Sequence, residues 1–193
     1  MQRAVPVGAG AMASLIGPKS DVALAEAAAA AGSAVGVCVV ANDNNAGNVV
    51  ISGAKAAVDL AIEKAKELGA REIPLNVSAP FHCALMQPAA EAMREALSKV
   101  TVNAPVVPLI ANVLAAPITD PEEIKKCLVE QVTGTVRWRE CVTYITANGV
   151  TDVYEIGSGK VLAGLAKRIE ASLNASSVGT PADIDAALAR LNS

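Results

Sequence analysis

Apolar and polar positions alternate along residues 10–17 (GAMASLIG), bounded by glycine at both ends, and this period of two predicts a strand. Residues 20–31 (SDVALAEAAAAA) open on a Ser/Asp cap signal, are rich in alanine and stop at Gly32, which predicts a helix. The β-branched run AVGVCVVA (34–41) predicts a second strand, the Asn/Gly cluster NDNNAGN (42–48) a turn, and VVIS (49–52) a third strand. Residues 53–68 (GAKAAVDLAIEKAKEL) put Ala57, Leu60, Ala61, Lys64 and Leu68 at helical spacing ahead of Gly69, a helix with its stop. REIPLNVS (71–78) reads as extended.

The order β-α-β-β-α-β is that of a ferredoxin-like split βαβ unit, whose two helices would cover one face of a four-stranded antiparallel sheet. After Pro80 the rhythm changes. Helices are predicted at 83–99, 121–131, 137–148 and 159–173, and a last one at about 181–192, opened by Thr180 and Pro181. Strands are predicted at 106–112, 151–156 and 175–179. Strands alternating with helices argue for a parallel sheet, here with few strands and an uncovered edge. The expected organisation is a linking segment 1–6, a ferredoxin-like subdomain 7–78 and a second α/β region 79–193.

Composition narrows the class. The 193 residues are 52% hydrophobic but only 2% aromatic, so the core must be built from Val, Ile, Leu and Ala, as in α/β proteins whose strands are buried on both faces. A net charge of -3 gives no reason to expect nucleic acid or an anionic membrane as partner. Cys38, Cys83, Cys127 and Cys141 form no C-x-x-C pair, and with one histidine they make no zinc set. Reduced, buried thiols of a cytoplasmic protein are expected. No charged start followed by an apolar stretch marks a signal peptide, and runs such as AVGVCVVA are too short to span a bilayer.

Few motifs carry chemistry. IGSGKV (156–161) is not a phosphate loop, because Tyr154 occupies the position of the first glycine and Val161 follows Lys160 in place of Ser or Thr. It reads as a tight strand-to-helix turn whose amides can face an anion. No G-x-S-x-G nucleophile elbow occurs in the chain. The lone histidine, His82, lies in NVSAPFHCALM (76–86). It is either a structural residue at a strand–helix junction or a general base held in one tautomer by a partner on its other nitrogen. Its place between two expected domains, where sites form, favours the second reading. Cys83 beside it would point to the opposite face of a strand and reads as a small buried hydrophobe. The asparagines of NDNNAGN are either what a hairpin turn needs or amides that hydrogen-bond a polar ligand.

Five segments together, ANDNNAGNVVISG (41–53), VSAPFHCALMQPAAEAM (77–93), NAPVVPLIANV (103–113), VEQVTGTVRW (129–138) and YEIGSGKVLAGLAKRI (154–169), resemble the malonyl-CoA:acyl carrier protein transacylase family. The resemblance runs in one order from Met1 to the C-terminus. It implies an α/β-hydrolase-like acyltransferase domain carrying an inserted ferredoxin-like subdomain. It also implies a ping-pong transfer of malonyl from CoA to the phosphopantetheine thiol of acyl carrier protein in fatty acid synthesis. A serine attacks the thioester and a histidine takes its proton. By the match, His82 is that base and Gln131 offers its backbone carbonyl to the imidazole, the orienting role an aspartate has in other triads. Asn42 and Asn44 match positions lining the CoA/pantetheine cleft. Phe81 would narrow the acyl pocket, since related domains with Phe here prefer malonyl and those with Ser often accept methylmalonyl. The resemblance implies no resident cofactor or metal, malonyl-CoA and acyl carrier protein as partners, and a monomer when complete.

The family's elbow serine, its G-Q-G-S-Q-type oxyanion segment and its carboxylate-binding arginine lie upstream of the segment that Met1 matches, and Arg3 does not fall on the arginine's position. The chain is therefore expected to resemble the C-terminal part of the enzyme, with the base and without the nucleophile, and to be inactive by itself. Two other readings are a non-catalytic module binding carrier protein or CoA through Lys160, Lys167 and Arg168, and the acyltransferase domain of a polyketide synthase. Those three basic residues also read simply as a solvated helix face.

Overall fold

The first alternating run forms strand β1 (Gly10–Ile16), followed by helix α1 (Val22–Gly32), strands β2 (Cys38–Asn45) and β3 (Asn48–Ala54), helix α2 (Lys55–Glu67) and strand β4 (Arg71–Pro74). This is a computed structural model describing Met1 and residues 3–192; Gln2, in the expected linking segment, and Ser193 lie outside the described residues. The chain forms two compact units, Met1–Cys141 and Val142–Ser193, and the boundary expected at residue 78 lies inside the first. The four strands make one antiparallel sheet in the order β2-β3-β1-β4.

Strand alternation sends Ala13 and Leu15 of β1 and Val49 and Ile51 of β3 to the face covered by α1 and α2. Leu15 and Ile51 are fully buried, each worth roughly 1.5–3 kcal/mol. The helices start and stop where the sequence says. Asp21 accepts from the Leu24 amide at 2.8 Å, and Gly69, with φ of 94°, turns the chain just past α2. The buried stripe of α2 differs from expectation: it is Ala57, Val58, Ala61 and Ala65, while Leu60 is exposed. The cause is close packing. A Cβ on Gly32 would lie 2.3 Å from the Ala57 carbonyl oxygen, so α1 and α2 meet through small residues.

The opposite sheet face carries Met12, Ala41 and Val50, with Leu75 and Phe81 packed on it. Here the sequence reading needs correction. The cluster NDNNAGN is mostly strand, because β2 runs through Asn45 and only Ala46 and Gly47 form the turn. Two register shifts, between Val40 and Asn42 and between Asp43 and Asn45, leave Ala41 and Asn44 out of the β3 ladder as bulges. Turn-forming residues and bulge-forming residues overlap in type, so composition could not separate the two.

The first unit continues through a short 3-10 turn (Ala84–Met86), α3 (Gln87–Ser98), β5 (Leu109–Ala111), β6 (Ala116–Ile118) and α4 (Pro121–Glu130). The helix expected at 83–99 is thus this turn followed by α3 from Gln87. The expected single parallel sheet is not what forms. β5 pairs antiparallel with β6, a strand the sequence reading missed, through a turn in which Ala115 adopts φ of 52° and donates to the Ala111 carbonyl at 2.7 Å. Helix α5 (Trp138–Ala147) leads into the second unit. There β7 (Asp152–Ile156) and β8 (Asn174–Val178) pair in parallel around α6 (Val161–Ile169), and α7 (Pro181–Leu191) follows. Thr180 and Asp183 form the capping box of α7, with Pro181 in its first turn. Among the described residues no helix is long and apolar enough to cross a membrane.

Candidate functional site

His82 lies in a loop, not on a strand, and its backbone adopts φ of 60°, rare for a residue with a Cβ. The loop is held from both sides. A Cβ on Gly10 would lie 2.3 Å from the Pro80 ring, so only glycine lets β1 approach this closely. Behind it, Ala79 and Met86 are buried with Val129 and Val132 at the end of α4. Phe81 is half-buried and packs against both this cluster and the open face of the sheet. Holding a non-glycine residue at positive φ costs on the order of 1–3 kcal/mol, which this two-sided packing opposes.

The imidazole is clamped by the end of α4. Nδ1 lies 2.9 Å from the carbonyl oxygen of Gln131, the C-cap residue of that helix, and 3.1 Å from that of Gly134. Carbonyls only accept, so Nδ1 carries the hydrogen and donates to both, and in the neutral ring Nε2 holds the lone pair. The arrangement can therefore take a proton at Nε2 and keep the resulting cation oriented without a carboxylate.

Residues 131–139 form a strap along the edge of β2. Val136 donates to the Ala41 carbonyl at 2.8 Å, the Asp43 amide donates to the Val136 carbonyl at 2.9 Å, and Thr135 Oγ1 donates to the Val40 carbonyl at 2.7 Å. Asn42 pairs with Val136 across this edge. Asn44 sits in the second bulge and donates weakly to Asn48 Oδ1 at 3.4 Å. The strap thus links the histidine clamp to the strand bearing both asparagines. Two contributors escaped the sequence reading. Gly134, the second carbonyl, carries no residue-type signal. The pairing of Asp43, inside NDNNAGN, with Arg139, one residue past VEQVTGTVRW, joins residues 96 apart in sequence.

The thiols are chemically quiet. Cys83 is buried and donates to the Pro80 carbonyl at 3.1 Å, away from any pairing with His82. The strand-alternation reason for that separation does not hold, since His82 and Cys83 are in a loop. Burial pushes Cys38, with Cys83 nearby, and Cys141 up to about 11, and raises Cys127 as well. Arg3 is exposed, as are Lys160 at the N-cap of α6 and Lys167 and Arg168 within that helix of the second unit. The amides opening α6 are partly occupied by the chain's own carboxylate, Ala163 donating to Glu155 at 2.8 Å. Among the described residues no three metal-ligating side chains cluster.

Residues 2–178 match the acyl transferase domain family. The malonyl CoA-acyl carrier protein transacylase of Escherichia coli K12 is 46% identical over 189 residues, covering 97% of this chain. A crystal structure of acyl-carrier-protein-S-malonyltransferase from Bartonella henselae superposes with a TM-score of 0.93 at 53% identity, covering 100% of this chain and 61% of that one. A malonyl-transacylase in complex with its type II PKS acyl-carrier protein superposes at 0.92 with 40% identity, covering 98% of this chain and 61% of that chain. The chain spans 60% of the length of the Escherichia coli relative.

Proposed function

This chain belongs to the acyl transferase domain family, and we propose that it is the base-bearing part of a malonyl-CoA:acyl carrier protein transacylase of fatty acid synthesis, a cytoplasmic enzyme. His82 is its general base. Nε2 takes the proton of a serine as that serine attacks the malonyl thioester, and returns it to the departing CoA thiolate. In the second half-reaction Nε2 takes the proton of the carrier protein's phosphopantetheine thiol as it attacks the malonyl ester, and returns it to the serine oxygen that departs. Gln131 orients the ring through its carbonyl, Asn42 and Asn44 line the CoA/pantetheine cleft, and Phe81 narrows the acyl pocket. The βαββαβ unit is the ferredoxin-like subdomain of the α/β-hydrolase-like fold. Nucleophile, base and thioester supply every bond change, so no resident cofactor is needed, and the complete protein works as a monomer.

The observation that supports this reading best is the Nδ1 clamp, two carbonyls holding the chain's single histidine at a positive φ. No G-x-S-x-G occurs in the 193 residues, so these residues alone form no acyl-enzyme; malonyl found on one of their serines after incubation with malonyl-CoA would overturn this. Joining the chain behind the unmatched N-terminal residues of the Escherichia coli relative gives the positive test. The chimera transfers malonyl to carrier protein, and His82→Ala lowers that rate roughly 10²–10⁴-fold. A chimera indifferent to His82→Ala sinks the base assignment. A second reading places the chain in polyketide synthesis, favoured by the relative solved with a type II PKS carrier protein; competition between the two kinds of carrier protein for the chimera decides between them.

A further inference from the structure

Asp43 is the one buried charged side chain among the described residues, 3% exposed on β2 between Asn42 and Asn44. Its carboxylate is gripped by Arg139, whose Nε lies 3.0 and 2.9 Å from the two oxygens and whose Nη2 lies 2.7 Å from Oδ2. A buried carboxylate is costly to keep unless it is fully bonded, and a planar guanidinium fork fixes both partners in direction as well as distance. The pair stands where β2 is weakest, since the bulges at Ala41 and Asn44 interrupt its ladder with β3.

We propose that the Asp43–Arg139 pair is a positioning device for the base, setting the tautomer of His82 through the strap. The inference rests on the reading of His82 as base and names residues that act on it from a distance. Arg139 anchors the C-terminal end of the strap to β2. Two backbone bonds, from Val136 to Ala41 and from Asp43 to Val136, and the Thr135 hydroxyl donating to the Val40 carbonyl continue the seam. Gly134 and Gln131, at the N-terminal end, present their carbonyls to Nδ1. A second tie, Arg137 to the carbonyls of Asn112 and Leu114, holds the strap to the β5–β6 turn but not to β2. Only the Asp43–Arg139 pair locks it against the strand bearing the two asparagines by side-chain charge. Releasing it lets the 134–136 segment move off the edge, and the two carbonyls lose their joint aim at Nδ1.

One labelled residue reads this directly, because the chain has a single histidine. Nitrogen-15 spectra of the labelled chain, taken about two pH units above the ordinary histidine pKa, show which ring nitrogen bears hydrogen. In the native chain Nδ1 appears protonated and Nε2 unprotonated. In Asp43→Asn the Nδ1–H form falls to a minority, and the Asp43-position and Val136 amides exchange about tenfold faster while that of Ile51 does not. Arg139→Lys, which keeps the carboxylate paired but loses the fork, gives an intermediate ratio. Val58→Ala, a core change on α2, leaves the ring unaltered. A native tautomer ratio in both Asp43→Asn and Arg139→Lys overturns the proposal, and if Asp43→Asn fails to fold, Arg139→Lys alone decides. The ring is read without acyl transfer, so this outcome is separate from the chimera test of His82 as base.

Discussion

At the scale of single residues the chemistry turns on what the backbone does to His82. A sequence reader finds the lone histidine at once, because the chain has no other. Its partner Gln131 came from resemblance, and the second carbonyl, on Gly134, came only with the fold, since a backbone acceptor leaves no mark on residue type. Phe81 shows the same division. Its ring touches two clusters, so on the proposed role its loss both opens the acyl pocket and weakens the support of the histidine loop. Phe81→Ser in a transfer-competent chimera is expected to raise methylmalonyl use relative to malonyl, by no more than the roughly 10–200-fold that one methyl is worth in a tight pocket. An unchanged ratio in a two-substrate competition ends the steric account. The thiols give a simpler check. With Cys38 and Cys141 pushed up to about 11 by burial, the folded chain should react with a thiol reagent at neutral pH far more slowly than the urea-unfolded chain.

At the scale of elements, small residues decide the packing. The alanine run of α1 looks like helix propensity alone, but its partner surface on α2 is also alanine, and Gly32 sits where any side chain would meet the Ala57 carbonyl. This sets two effects against each other. On propensity, Gly32→Ala should stabilise by up to about 1 kcal/mol. On geometry, a Cβ 2.3 Å from a backbone oxygen forces the helices apart, and such overpacking costs about 1–3 kcal/mol. The geometric effect is expected to win, so the urea midpoint of Gly32→Ala falls below that of the native chain; a rise would show that the helices separate freely. The missed strand β6 and the bulges of β2 have a common cause. Neither carries a hydrophobic period long enough to register, and both are imposed by what lies alongside.

At the scale of the whole molecule, acidic groups set the pH range of stability. Hydrogen bonds from Arg94, Arg137 and Thr180 hold Glu91, Glu140 and Asp183 below the ordinary carboxylate values, Thr151 does the same for Asp152, and Glu72 is lowered by its own backbone amide and then by Lys66. A carboxylate held low contributes stability above its unfolded pKa and loses it as pH falls through the folded one. The contribution is therefore complete above about pH 5 and is lost progressively below about pH 4. Melting temperatures across that range should be level from about pH 7 to 5 and then drop, by less in high salt for these mostly exposed pairs. A flat profile down to about pH 3 would show that the pairs contribute nothing net.

The amino-acid sequence by itself determined the β-α-β-β-α-β order of the first six elements, the caps at Asp21 and Thr180, the helix stop at Gly69, the apolar make-up of the core and the histidine as the residue to watch. Each of these depends on neighbours within a few positions along the chain, where periodicity, capping and turn chemistry operate. Tertiary structure decided the rest: the stripe α2 buries, the bulges of β2, the reversal at Ala115, the carbonyl pair on Nδ1 and the grip of Arg139 on Asp43. These join residues tens of positions apart, and their energy comes from close approach and from removing charge and backbone polar groups from water, which no local pattern encodes.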